Sequence, residues 1–142
     1  RAGLEQTVIP GRTQYFPEQN LLIDGAHNED AIAQLENTLD ARFPGKPVVL
    51  LAAAMQEKDV SRLAEIVKKR GGSVVVTQVD SRRGRPVREL SRVFRGLPRT
   101  REKDWEKAFL KAQKKARRQD ALLVAAGSFY LAGELLKKLQ SQ

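Results

Sequence analysis

Val48-Val-Leu-Leu-Ala-Ala-Ala54 is a run of seven apolar residues with no polar break. It falls far short of the ~20 residues that span a bilayer. It is also too uniformly apolar for a strand with one wet face. Such a run suits a strand covered on both sides, as in a parallel sheet sandwiched by helices. Two further stretches read the same way, Ser73-Val-Val-Val-Thr77 and Asp120-Ala-Leu-Leu-Val-Ala-Ala126. Both are rich in the β-branched or aliphatic residues that pack well on a pleat.

Helical patterns fill the gaps between these runs. Asn28 is a good N-cap, followed by Glu29 and Asp30 where acidic residues favour a first turn. Ala31, Ile32, Leu35, Leu39 and Phe43 repeat at helical spacing until Pro44-Gly45 stops them. Asp59 to Arg70 predicts a second helix, with Val60, Leu63, Ala64 and Val67 on one side, ended by Gly71-Gly72. Pro86 opens a third through Val87, Leu90 and Phe94 to Gly96. Pro98 to Arg101 suits a short edge strand. Asp104 to Arg118 predicts a basic helix buried through Trp105, Ala108, Phe109 and Ala112. Gly127-Ser128 opens a last helix with Leu131, Ala132, Leu135, Leu136 and Leu139 at core spacing.

At the other end, Thr13-Gln-Tyr-Phe16 and Leu21-Leu-Ile-Asp24 flank Pro17-Glu-Gln-Asn20, the pattern of a β-hairpin. Strand and helix alternate after it. The expected class is α/β: a mostly parallel sheet with one antiparallel edge strand, helices on both faces and right-handed crossovers. Ligands of such sheets bind at the carboxyl ends of the strands.

The chain has 142 residues, the size of a single domain, with 41% hydrophobic and 30% charged residues. There is no cysteine, so disulfides, thiolate-ligated zinc and a thiol nucleophile are excluded; His27 is the only histidine. No leading segment reads as a signal peptide, and a cytoplasmic setting without membrane contact is expected. The chain opens on Arg1 rather than Met, so a longer parent is expected.

The net charge of +9 is unevenly spread: residues 62–118 hold 19 basic and 6 acidic residues, whereas residues 1–61 hold 5 and 9. Such asymmetry invites a nucleic-acid reading. However, Lys103, Lys107, Lys111, Lys114, Lys115 and Arg118 recur mostly three or four apart, as on the wet side of one helix. No aromatics interleave with them as a stacking platform would need. A solvated face is the expectation, and a field that attracts small anions such as nucleotides or polycarboxylates is a further option.

No GxxxxGK[ST] or GxGxxG loop and no nucleophile elbow occurs. Three places remain where the fold puts ligands. In Leu22-Ile-Asp-Gly-Ala-His-Asn28, Asp24 could accept from ligand hydroxyls such as a ribose diol, or cap nearby backbone N–H groups. His27 could meet a carboxylate, a phosphate or a base. In Pro10-Gly-Arg12, the guanidinium could fork onto a phosphate. In Gly127-Ser-Phe-Tyr130, Ser128 and the helix start could bind an anion, or Ser128 could serve as a plain N-cap.

Pro10-Gly-Arg-Thr-Gln14, Leu22-Ile-Asp-Gly-Ala-His-Asn28, Ala54-Met-Gln-Glu-Lys-Asp-Val60 and Gly127-Ser-Phe-Tyr-Leu-Ala-Gly-Glu134 occur in this order. Together they resemble the C-terminal domain of the folylpolyglutamate synthase/dihydrofolate synthase family, in the Mur ligase superfamily. The resemblance covers nearly the whole chain and implies a Rossmann-like sheet. It also implies an ATP-dependent ligase that phosphorylates a carboxylate and lets the amino group of L-glutamate displace phosphate to form an amide. The acceptor would be a folate-type acid or dihydropteroate.

The family's phosphate loop, Mg2+ ligands and modified lysine lie in an N-terminal domain. The resemblance therefore implies that these 142 residues are catalytically incomplete without that partner domain. By matching position, Arg12 would contact the ATP phosphates, Asp24 the ribose, and His27 both nucleotide and glutamate. Ser128 and Tyr130 would help form the glutamate pocket. Lys58 and Asp59 read as structural or hinge-side residues. The chain departs from the family pattern at Glu29, where Pro is frequent, and at Ala52-Ala53-Ala54, where Gly is common. Which arginine of Asp80-Ser-Arg-Arg-Gly-Arg-Pro86 corresponds to the family's Arg-Ala stays open. A peptidoglycan-type Mur ligase and a non-enzymatic basic nucleic-acid module are the competing readings.

Overall fold

The apolar runs pair side by side into one sheet. In the computed structural model, which describes residues 7–9, 13–80 and 82–141, seven strands lie in the order β1-β2-β3-β7-β4-β5-β6. They are β1 (Thr7–Ile9), β2 (Thr13–Phe16), β3 (Leu21–Ile23), β4 (Val48–Ala52), β5 (Ser73–Val76), β6 (Arg99–Arg101) and β7 (Leu122–Ala126). The helices are α1 (Glu29–Arg42), α2 (Ser61–Arg70), α3 (Val87–Val93), α4 (Trp105–Gln119) and α5 (Phe129–Gln140).

From β3 to β6 every neighbouring pair is parallel. Strand β2 runs antiparallel to β3, as the hairpin pattern predicts. Beyond it lies β1, antiparallel to β2, which the sequence reading does not place. A three-residue strand is too short to show an alternating pattern.

The last strand, β7, enters at the centre of the sheet. Its Val124 is in register with Leu22 of β3 on one side and Leu50 of β4 on the other. The strand ends of β3 and β7, distant in sequence, therefore become neighbours.

Alternate residues of each strand feed two cores, because successive side chains point to opposite faces. Leu22, Leu50, Val74, Val76, Leu122 and Val124 pack under α1, α2 and α3. Leu21, Ile23, Val49, Leu51, Val75 and Leu123 pack under α4 and α5. Each fully buried Leu or Val stabilises by about 1.5–3 kcal/mol relative to exposure. This is why the continuous runs, apolar on both faces, occupy the middle of the sheet.

Helix starts follow the capping residues. Asn28 accepts the Ala31 N–H at 2.9 Å, and Asp104 accepts those of Glu106 and Lys107 at 2.9 and 3.3 Å. Helix α2 begins at Ser61, slightly later than the sequence suggests, because Asp59 accepts the Ser61 N–H at 3.0 Å from outside the helix. That bond and the Ser61 hydroxyl hold the Asp59 carboxyl below its ordinary pKa. Helix α4 buries Ala108, Phe109, Ala112 and Ala116 and turns Lys107, Lys111, Lys114 and Arg118 to solvent; Lys103, just before it, is exposed as well, and of the expected solvated face Lys115 alone is half-buried. Among the described residues, no helix is long and apolar enough to cross a membrane.

Candidate functional site

The segment after β3 is tied to the end of β7 by backbone alone. Asp24 N–H donates to Ala125 O at 3.0 Å, and Gly127 N–H donates to Ala26 O at 2.8 Å. Gly127 has φ +106°, and a Cβ there would lie 2.1 Å from Ala53 O. Only glycine lets β7, the end of β4 and the Asp24–His27 loop close on each other.

Asp24 is buried rather than exposed, at 6% accessibility. Its Oδ2 accepts the Thr13 hydroxyl at 2.5 Å and its Oδ1 accepts the Ala26 N–H at 2.8 Å. The carboxylate thus pins the hairpin to the loop while lining the cleft beside it. The capping and cleft-lining readings of Asp24 both describe the geometry.

His27 is half-buried. Its Nδ1 lies 3.1 Å from Gly25 O; since a carbonyl only accepts, Nδ1 carries the proton and Nε2 is the ring's remaining polar atom. The imidazole leans on the Phe129 ring, with centroids 4.5 Å apart and planes tilted by 55°. A Cβ on Gly25 would come within 2.4 Å of that Phe129 ring.

His27 and Phe129 divide two clefts at the carboxyl edge of the sheet. The first, about 310 Å³, is lined by Asp24, Asn28, Asp30 and Gln34 besides the two rings. The second, about 230 Å³, is lined by Met55, Glu57, Lys58, Arg83, Ser128 and Tyr130 with the same two rings. The first offers acceptors and a ring face; the second adds Lys58 and Arg83, cations suited to a carboxylate.

Ser128 is buried at 1% and caps α5, accepting the Tyr130 and Leu131 N–H groups at 3.0 and 3.3 Å. Both bonds use the hydroxyl oxygen as acceptor, and Ser128 also lines the second cleft. Tyr130 and Phe129 are half-exposed at 53% and 50%. The basic loop after β5 is stitched to the turn after β4. Arg85 donates to Gln56 O at 2.8 Å and Lys58 O at 2.5 Å, and Met55 bridges Gly84. Arg85 is therefore a brace, while Arg83 reaches the second cleft.

Of the sequence candidates, Asp24, His27, Ser128 and Tyr130 converge here, and Arg12 lies outside the described residues; Asp59, read as structural or hinge-side, accepts the Ser61 N–H at the start of α2. Phe129, Arg83 and Lys58 were not singled out as ligand-facing. An aromatic at the first position of a helix, just after its cap, is the signal that could have marked Phe129. Among the described residues, no group of three His, Cys, Asp or Glu side chains could hold a metal ion.

Residues 11–129 match the family model of the Mur ligase glutamate ligase domain. A probable bifunctional folylpolyglutamate synthase/dihydropteroate synthase of Haloferax volcanii is 35% identical over 93% of this chain, which spans 16% of that protein. A ligand-free bifunctional folylpolyglutamate synthase/dihydrofolate synthase from Yersinia pestis superposes with TM-score 0.78 at 24% identity, over 94% of this chain and 32% of its own. A bifunctional synthase of the same description, with Mn, AMPPNP and L-glutamate bound, gives TM-score 0.75 at 24% identity, over 94% and 32%. The chain thus spans at most about a third of these relatives. At these identities the two structural likenesses establish the fold.

Proposed function

Since the chain belongs to the Mur ligase glutamate ligase domain family, we propose that it is the C-terminal domain of an ATP-dependent acid–amino-acid ligase of the folylpolyglutamate synthase/dihydrofolate synthase type, working in the cytoplasm. The reaction class joins L-glutamate to a folate or dihydropteroate carboxyl group. ATP phosphorylates that carboxyl, and the glutamate nitrogen then forms the C–N bond as phosphate leaves and an ammonium proton is lost.

In this reading the two clefts divide the work. Asp24, already anchored through Thr13 and Ala26, presents an acceptor to the nucleotide ribose, and the His27–Phe129 pair gives the nucleotide an apolar wall. His27 Nε2, Ser128 and Tyr130 orient the glutamate. Lys58 and Arg83 attract its carboxylates. Arg12 takes the ATP phosphates, a role that rests on the family resemblance of the Pro10-Gly-Arg12 segment alone. A divalent ion supplies charge neutralisation to the phosphates, and its ligands come from the ATPase domain of the same parent.

The observation that carries the proposal is the convergence of the Asp24–Asn28, Met55–Lys58 and Gly127–Tyr130 segments around His27. The first two lie inside the family match, which ends at residue 129, one residue short of the end of the third. It is tested by nuclear magnetic resonance on the isotopically labelled 142-residue chain. AMPPNP should shift the amides of Asp24 to Asn28 and Phe129, and L-glutamate those of Lys58, Ser128 and Tyr130. Dissociation constants should be weaker than about 1 μM, corresponding to less than about 8 kcal/mol, because half the cradle belongs to another domain. The chain alone should not turn over ATP. Shifts that bypass these residues at saturating ligand would overturn the proposal.

A further inference from the structure

At the far edge of the sheet, two elements direct arginines into one groove. Helix α3 supplies Arg88 and Arg92, one turn apart, and strand β6 supplies Arg99 and Arg101, which share a face because side chains alternate along a strand. With Ser91 and Leu97 they line a groove of about 440 Å³ whose lining, among the described residues, holds no carboxylate. Its size matches one small ligand.

The four guanidinium groups are not spent on ion pairs among the described residues, unlike Arg62, Arg70 and Lys111, which each meet a carboxylate. Arg99 is held in place: its Nε donates to the Ser91 hydroxyl at 2.8 Å and its Nη1 to Phe94 O at 3.4 Å. Ser91 itself is buried at 6%. Charged residues on an edge strand can serve only to discourage sheet-to-sheet pairing. That role does not require two more arginines on the neighbouring helix, aimed at the same groove at the cost of mutual repulsion.

We propose that this groove binds a small multivalent oxoanion, an oligophosphate or an oligocarboxylate, through forked contacts from Arg88, Arg92 and Arg101 beside the pre-positioned Arg99. Planar guanidinium forks match the oxygens of phosphate and carboxylate alike. A nucleic-acid track is disfavoured by the layering. The α3 arginines lie on one face of the sheet and the α4 lysines on the other, so the basic residues do not form one continuous path.

The test follows the arginine side-chain Nε–H and backbone amide resonances of the 142-residue chain during separate titrations with tripolyphosphate and with triglutamate. The expected result is a shift confined to residues 88–101 with a dissociation constant on the order of 1 mM or tighter at physiological salt. Binding should weaken roughly tenfold or more in Arg88→Gln/Arg92→Gln. A response to one anion and not the other identifies the ligand's source. If the double variant does not fold, the resonances of the unaltered chain decide. No shift in the groove with either anion, shifts spread evenly over the α4 lysines, or tighter binding of a duplex oligonucleotide than of both anions would overturn the proposal. The AMPPNP and glutamate responses at Asp24–Asn28 and Ser128–Tyr130 are read at different residues, so the two proposals fail independently.

Discussion

Asp24 shows how one side chain can be read two ways and satisfy both. As an exposed ligand contact it could be removed with little effect on stability. In the fold it is buried and accepts from Thr13 and Ala26. Asp24→Ala would orphan both donors, which costs about 1–3 kcal/mol. Thermal melts should therefore show a transition lowered by roughly 2–4 °C for each kcal/mol lost. An unchanged melt would mean that the loop is held by other contacts. Gly127 makes a stronger case, because its position combines φ +106° with a backbone carbonyl 2.1 Å from any Cβ. That carbonyl, on Ala53, cannot swing away as a side chain could. Gly127→Ala should cost at least about 2 kcal/mol, read as a lower midpoint in urea. The Asp-Gly-Ala-His-Asn segment was legible as a site from its place between strand and helix. That its carboxylate also holds the hairpin was not, because Thr13 joins it only through the pairing of β2 with β3.

Between elements, α1 and α2 are joined by charge above the core they share. Glu36, nearly buried, accepts Arg62 Nη2 at 3.0 Å and Lys69 Nζ at 2.9 Å, and Arg62 also meets Glu29 at 2.8 Å. The hydrogen bond from Lys69 holds the Glu36 carboxyl below its ordinary 4.5, and Arg62 adds to the effect. A depressed carboxyl stabilises the fold above the unfolded value, and the gain is lost as pH falls through the folded one. Glu36→Gln should destabilise by about 1–2 kcal/mol at neutral pH. The gap to the unaltered chain should close as the solution is acidified below about pH 4. Chemical denaturation at neutral and acidic pH checks this; an equal gap at both would show that the ion pair contributes nothing. Sequence periodicity places Glu36 near the buried stripe of α1, but its partners sit on α2 and come within reach only when both helices pack on the same face of the sheet.

At the scale of the whole molecule, the sheet order decides what the motifs become. The apolar runs, the caps and the glycine stops already determined, from the sequence, an α/β fold with its buried strands, its helix stripes and a hairpin at one end. They suffice because each is local: burial on both faces demands a continuous apolar run, and the side-chain caps of α1, α4 and α5 lie within three residues of the N–H groups they accept. The basic helix was likewise legible as a solvated face. Three features needed the tertiary structure. Inserting β7 between β3 and β4 brings Phe129 onto His27 and splits the site into two clefts, a contact between residues with no periodic relation. The antiparallel bridge between Met55 and Gly84 turns a basic loop into a brace plus one cleft-facing arginine. The edge position of β6 gathers Arg88, Arg92, Arg99 and Arg101 into one groove, although the sequence shows them only as part of a diffuse positive charge. In each case the deciding interaction joins segments far apart in the chain, and only the order in which the strands pair makes them neighbours.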